Sequence, residues 1–308
     1  MAILIDPPRW PAHGTRFGHL ASDVSLTELH AFARANAVPQ RAFDHDHYDV
    51  PETRTQDLVA AGARPVESRE LVRRLTAAGL RVRAADRAPR RSRAVAELTR
   101  SWAELMPQAP ALGAELLRRW QEPHRHYHDV RHLFQVLSAL QLISGPSVPT
   151  AVALAAWFHD GVYDGVADQD ERASAELARA ELEAARAPSH LVDEVSRLVL
   201  LTIDHNPDQT DRPGVLLVDA DLSILGQVPG RYHLYVRDVR LEHPELSDIA
   251  FGIARLAVVR ALLGAEMLFR SGPGRHLWLN QARENLAGEV IHWTGVRGHH
   301  SLEEHPNR

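Results

Sequence analysis

A small amino-terminal α/β domain followed by an all-helical carboxy-terminal domain is the fold class this chain predicts, and three observations predict it. From about residue 94 onward apolar residues recur at helical spacing and strand signals are scarce. Before residue 83 a short apolar run stops abruptly at an aspartate and two prolines, and capped amphipathic segments follow. Between the two regions, six arginines, a proline and several alanines crowd the stretch from Arg81 to Arg93. The expected organisation is an α/β domain over residues 1–83, an exposed arginine-rich linker over 84–94, a helical domain over 95–295 and a polar tail over 296–308. A chain of 308 residues accommodates two domains of ordinary size.

Taken in order, Ala2-Ile3-Leu4-Ile5 reads as a strand ending at Asp6. Ser25, with Glu28 three residues on, opens an amphipathic helix carrying Leu26, Leu29, Phe32 and Ala33 as a capping box would. A second helix is expected from Ser68 to Ala78, with Gly79 ending it. In the carboxy-terminal region Leu133, Val136, Leu137 and Leu140 form one apolar stripe, and Leu191, Val195, Leu198 and Thr202 another. The run from Ala151 to Phe158 is apolar all round and belongs in a core. Later helices are expected over 248–269 and 277–290.

Composition removes several chemistries. The chain has 0 cysteines, which excludes disulfides, thiolate metal sites and cysteine nucleophiles. It has no lysine either, so all 35 basic residues are arginine, and lysine-based phosphate loops and Schiff bases are excluded. A net charge of -5 disfavours a dedicated nucleic-acid binder. No apolar stretch is long enough to span a bilayer, and no secretory signal is visible, so the expected compartment is the cytoplasm. The 19 histidines favour a metal site, histidine being the commonest protein metal ligand.

Four positions stand out: His132, the pair His159-Asp160, and Asp221. His132 lies on one helical face with Val136 and His128. His159 and Asp160 terminate a fully apolar helix, where a carboxylate needs a partner and the helix dipole repels it. Asp221 shares the face of Leu217, Val218 and Leu225, whereas Asp219 points elsewhere. A divalent cation beside Asp160 would resolve both problems, and of the two aspartates Asp221 is the better ligand. His-Asp dipeptides also occur at His45-Asp46 and His128-Asp129, so the dipeptide alone is ordinary.

With these residues go Arg125-His126-Tyr127-His128, Tyr163-Asp164, Asp170-Glu171 with Ser174-Ala175, Thr202 with His205, Asp219-Ala220-Asp221-Leu222 with Ile224-Leu225-Gly226, and Arg240 with Glu242. Together they resemble the HD superfamily of metal-dependent phosphohydrolases, and a bacterial subgroup of it in particular, over most of residues 97–290. Asp170 and His243 stand where that subgroup commonly has asparagine and tyrosine. The resemblance implies His132, His159, Asp160 and Asp221 as metal ligands, with His128 a rival to His132. The donor set suits manganese, iron, cobalt, nickel or zinc. The implied reaction is hydrolysis of a small phosphorylated substrate, a phosphomonoester or nucleotide, by water whose pKa the metal lowers toward ~7. Asp164 or Glu171 is expected to orient or deprotonate that water. Arg125, Arg237 and Arg240 are the expected phosphate-facing cations, and His205 and His128 further substrate or metal contacts. Two other readings stay open: a nucleotide-binding regulatory module without turnover, and an HD-type di-iron oxygenase, for which His190 and His205 are the only extra histidines between the His-Asp pair and Asp221.

The amino-terminal segment, through Asp6-Pro7-Pro8-Arg9-Trp10-Pro11-Ala12-His13-Gly14, His19-Leu20 with Ser22-Asp23, and His47-Tyr48-Asp49-Val50-Pro51, resembles a small domain of unknown function found in actinobacterial-type proteins. Asp6 and the cluster Asp44-His45-Asp46-His47-Tyr48 are read as a solvated, turn-forming group, with a second polar site as the alternative.

Overall fold

The computed structural model describes residues 2–145 and 147–303. It divides into two compact units, the first comprising residues up to Arg87 together with Val228–Leu234, the second comprising Ala88–Gln227 and the residues from Tyr235 onward. Residues 228–234, expected in the helical domain, thus group with the first unit.

The first unit is built on a six-stranded sheet. Its strands are β1 (Ile3–Ile5), β2 (Trp10–Ala12), β3 (Thr15–Ser22), β4 (Phe43–Asp44), β5 (His47–Pro51) and β6 (Arg64–Pro65). The spatial order is β4-β5-β3-β1-β6, with β2 pairing β3. Among the described residues only the β1–β6 pair is parallel. β1 is apolar without alternation because both its faces are covered: Ile3, Leu4 and Ile5 are all buried. The β2–β3 hairpin turns on His13 and Gly14, both at positive φ, the backbone that matches the right-handed strand twist.

The helices of this unit are α1 (Leu26–Ala35), α2 (Thr55–Ala60) and α3 (Ser68–Ala77). Ser25 caps α1 by accepting a hydrogen bond from the Glu28 amide at 3.1 Å. The Glu28 carboxylate bonds the Ser22 hydroxyl, which in turn accepts from the Ser25 amide at 3.1 Å, so the reciprocal half of the expected box runs through Ser22. Gly79, at φ 69°, follows α3 as the sequence predicts. Leu4, Ile5, Leu20, Leu26, Leu29, Leu58 and Leu75 form the core.

The second unit contains α4 (Arg91–Leu105), α5 (Pro110–Arg119), α6 (Val130–Ser144), α7 (Thr150–Phe158), α8 (Gln169–Ala184), α9 (Ser189–Leu200), α10 (Arg212–Asp221), the part of α11 (Pro229–Leu241) from Tyr235, α12 (Asp248–Gly264) and α13 (Gly272–Glu303). Every residue of α7 from Val152 to Phe158 is buried, so the all-apolar run is the hub that α6, α9 and α10 pack around. Trp120 donates its indole N–H to the Trp157 carbonyl at 3.0 Å, fixing the end of that hub.

Several boundaries differ from expectation. The arginine-rich stretch is exposed or half-buried over most of its length and the two units divide within it at Arg87, but it is not unstructured: Ala84–Asp86 form a 3₁₀ turn, α4 begins at Arg91, and Arg91 pairs with buried Asp129 at 2.7 Å. Arg81 likewise pairs with buried Asp46 at 3.1 Å. α12 stops at Gly264, short of 269, and α13 starts at Gly272, ahead of 277. Asp219 explains the second shift, because its buried carboxylate accepts the Arg270 and Ser271 amides at 2.9 and 2.8 Å and so caps the approach to α13. The expected tail from 296 continues α13 to Glu303, and residues 304–308 lie outside the described residues. Among the described residues no helix is long and apolar enough to cross a membrane.

Candidate metal centre

His132 sits in the first turn of α6, which Asp129 caps by accepting the Arg131 amide at 2.7 Å. His159 and Asp160 follow the last residue of α7, and Asp221 closes α10. Helices distant in sequence thus deliver the four groups to one spot. The His132 and His159 Nε2 atoms lie 3.1 Å apart. Asp221 Oδ1 lies 3.1 Å from His132 Nε2 and 3.6 Å from His159 Nε2. Asp160 Oδ2 lies 3.5 and 3.2 Å from the same two nitrogens.

Those separations can be compared with coordination geometry. Around a cation with bonds of ~2.1 Å, ligands at a right angle lie ~3.0 Å apart and ligands at the tetrahedral angle ~3.4 Å apart. The observed 3.1–3.6 Å lies within about 0.2 Å of those two values. The ring of His159 is also oriented for ligation, since its Nδ1 donates to the Ala156 carbonyl at 2.9 Å and leaves the Nε2 lone pair free to face inward. His132 Nδ1 is buried with no hydrogen-bond partner among the described residues.

The electrostatics show what the pocket lacks. Burial opposes charge on His159, yet Asp160 and Asp221 overrule it and hold the imidazole well above its usual pKa. Burial pushes both carboxylates up, and the neighbouring imidazoles, His159 foremost, reverse this and hold both well below the usual carboxylate range. Two buried carboxylates beside two imidazoles are a donor set that a divalent cation can share. The residues present fit such a cation.

The other expected residues divide into those the fold brings near and those it uses elsewhere. His205, just beyond α9, places its Nε2 2.9 Å from Asp221 Oδ2, the oxygen facing away from the two imidazoles. Its φ of 52° is left-handed, a strained backbone for a residue with a side chain. His128 lies before the Asp129 cap, outside α6. Its Nδ1 bonds Glu242 at 2.7 Å, and its ring stacks on Tyr163 with centroids 4.3 Å apart. His132, not His128, is the histidine that meets His159 and Asp221.

Glu171 is half-buried in the first turn of α8, and its Oε2 is buried without a hydrogen-bond partner among the described residues. Burial pushes its carboxyl up, and the charges of Asp160 and Asp170 add to the shift. Asp164 is engaged through its amide, which donates to Asp170 at 3.0 Å. Asp170 also accepts the Val166 amide, and the Ser174 hydroxyl bonds both the amide and the carbonyl of Val162. Asp170 and Ser174 therefore brace the loop that carries the His159-Asp160 pair into α8.

The three arginines expected to face phosphate are placed differently. Arg125 is fully buried, donates to the Asp160 carbonyl at 2.7 Å and to the His128 carbonyl at 3.2 Å, and lies over the Trp120 and Tyr163 rings. Its Nη1 braces the loop carrying the His159-Asp160 pair, while its Nη2 is buried without a hydrogen-bond partner among the described residues. Arg240 donates to Asp248 and to the His243 and Leu246 carbonyls, tying the connection between α11 and α12. Arg237 donates two bonds to its neighbour Asp238. His190 is exposed at the start of α9.

Sequence reasoning did not assign Glu242 a role. Its Oε1 accepts the consecutive amides of His126, Tyr127 and His128 at 2.7, 2.7 and 2.9 Å, and its Oε2 takes His128 Nδ1 and the Tyr163 hydroxyl. It thereby fixes the loop before α6. No local pattern announces a partner so far along the chain. A second His/Asp group, His19, His47 and Asp49, lies in the first unit and was equally unforeseen as a set.

Residues 3–78 match the model of a family described as a protein of unknown function (DUF4031), about a quarter of the chain. That stretch covers most of the first unit and none of the His132 centre. Neither the curated proteins nor the solved structures contain a match.

Proposed function

We propose that the second unit is a metal-dependent phosphohydrolase that cleaves a small phosphorylated compound, a phosphomonoester or a nucleotide. The observation that carries this reading is the buried group His132, His159 and Asp221, whose ligand atoms lie within 4.8 Å of one another, with Asp160 Oδ2 3.5 and 3.2 Å from the two imidazole nitrogens. His132, His159, Asp160 and Asp221 would hold manganese, iron, cobalt, nickel or zinc. When bound, such a cation neutralises phosphate charge and makes water acidic enough to act as a nucleophile near neutral pH.

The chain's own residues supply the rest. Glu171, a carboxyl that burial makes more basic, is suited to hold and pass a proton beside Asp160. Burial opposes charge on His128, but Glu242 outweighs it and raises its pKa, and its ring remains partly accessible. In a chain without lysine, partly accessible His128 is the imidazole best placed to meet a phosphate oxygen. His205 steadies the outer oxygen of Asp221. The zero cysteines fit a reducing compartment, and the same reading assigns the protein to the cytoplasm.

Metal analysis of the purified chain, followed by a phosphomonoester and nucleotide panel with added manganese, nickel, cobalt or zinc, tests the proposal. Asp160→Ala is expected to lose metal from this centre and all turnover while keeping its helical content. Full activity in that variant defeats the assignment.

A further inference from the structure

The first unit contains a second convergence of imidazole and carboxylate groups, and sheet register creates it. In the antiparallel pairing of β3 with β5, His19 stands directly opposite Asp49. His47 lies two residues before Asp49 on the same strand, so the pleat brings all three side chains to one face. Their ligand atoms lie within 4.8 Å of one another, His47 Nε2 3.5 Å and His19 Nε2 3.9 Å from Asp49 Oδ1. The two rings meet edge to face with centroids 4.7 Å apart.

What separates this group from a chance surface cluster is the far side of each ring. His19 Nδ1 bonds Asp6 Oδ2 at 3.0 Å, and Asp6 is buried where β1 ends. Asp6 Oδ1 also accepts the His19 amide at 2.6 Å. Gly18 permits this approach, since a Cβ there would lie 2.6 Å from the Asp6 carbonyl oxygen. His47 Nδ1 bonds Asp46 at 2.6 Å, and Asp46 is completely buried, held by Arg81 and by the Val82 amide at 2.7 Å. Each imidazole is therefore oriented by a carboxylate on Nδ1, which turns both Nε2 atoms toward Asp49. Carboxylate–histidine pairs of this kind are how proteins orient imidazoles that ligate a metal. The third group is open to solvent, with the Asp49 side chain 48% exposed against 10% for His47. Exposed Trp10 stands beside His19 with centroids 6.3 Å apart.

We propose that His19, His47 and Asp49 form a second divalent-metal site, independent of the His132 centre. Two histidines and one carboxylate on one side of an ion, with the solvent side open, is the donor set of sites that leave positions for water and substrate on zinc or ferrous iron. Asp6 and Asp46 are positioning residues that act through the rings. The aspartates and histidines of this hairpin, read from sequence as a solvated turn, are thus sorted by the fold: Asp46 and His47 turn inward, while His45 bonds its neighbour Asp44.

The test uses the full chain with His132→Ala and Asp221→Asn, which disable the other centre, stripped of metal and titrated with zinc, cobalt or ferrous ion under argon. One equivalent per chain is expected, with cobalt giving the intense visible bands of a low-coordinate site. Adding Asp49→Asn, a change at a solvent-facing position, is expected to weaken binding at least 100-fold with the apo melting temperature unchanged. Asp6→Asn is expected to weaken it 10- to 100-fold. A doubly disabled chain that binds no metal overturns the proposal. So does one whose bound equivalent is indifferent to Asp49→Asn.

Discussion

Replacing Glu242 by Gln isolates the carboxylate that arranges the loop before α6. The side chain is almost wholly buried and makes five contacts, three to backbone amides, one to His128 and one to the Tyr163 hydroxyl. Burial pushes its carboxyl up, but His128 and the backbone amides outweigh that and hold it at about 2, against a usual 4.5. A depression of that size corresponds to about 3 kcal/mol favouring the charged form in the folded state, counted once for the pair with His128. Because the folded pKa is the lower one, this stability is fully present above pH 4.5 and is lost as pH falls toward 2. Glu242→Gln keeps the shape and the three amide contacts, so a loss of about 2–3 kcal/mol is expected at pH 7 in urea denaturation. The variant should also show a shallower decline in stability between pH 4.5 and 2 than the parent. Metal stoichiometry should stay unchanged, because Glu242 touches none of the four ligands. On the proposed function, turnover should fall as His128 loses the carboxylate that raises its pKa. A variant as stable as the parent at pH 7, with the parent's acid slope, would refute the reasoning.

Other expectations follow from the same contacts. Arg125→Met removes the donor to the Asp160 carbonyl while filling much of the space, and should cost about 2–4 kcal/mol in denaturation and weaken metal binding at the His132 centre. Gly113→Ala puts a methyl 2.2 Å from the Trp102 ring, which is buried and donates to the Ala109 carbonyl, so a loss of about 1–3 kcal/mol or more is expected by thermal melting. Glu289→Gln removes the charge that faces buried Arg255 at 2.8 Å while keeping one accepting oxygen, and should cost about 1.5–3 kcal/mol in denaturant. A cation at 100 times its dissociation constant should stabilise the chain by about 2.7 kcal/mol per site, and Asp221→Asn should erase the contribution of the His132 centre, read as the shift in melting temperature.

Local pattern carried the architecture a long way. The all-apolar run of α7 declares a buried hub because no face of it is fit for water, and β1 stops where Asp6 and two prolines end its apolar run. Ser25 announces α1, since a capping hydroxyl acts within one turn of the chain. His132, His159, Asp160 and Asp221 stood out as polar groups beside helical positions that demand burial, but the ligand set came from the resemblance, because periodicity alone puts His128 on the same face as His132. Zero cysteines and zero lysines limit the chemistry whatever the fold.

What the tertiary structure alone decided were the partners. Arginine looks the same in sequence whether it meets phosphate or braces a carbonyl, and only packing showed Arg125 donating to the Asp160 carbonyl and Arg240 bound to the loop after α11. Asp219 and Asp221 are two residues apart, yet one caps the approach to α13 and the other faces two histidines, because a rotation of about 200° along a helix sends them to different neighbours. The set His19, His47 and Asp49 exists only through the pairing register of two strands, and register depends on how the whole sheet buries one face. Spacing along a chain constrains which groups share a face; which groups meet across space is settled by the packing of distant segments.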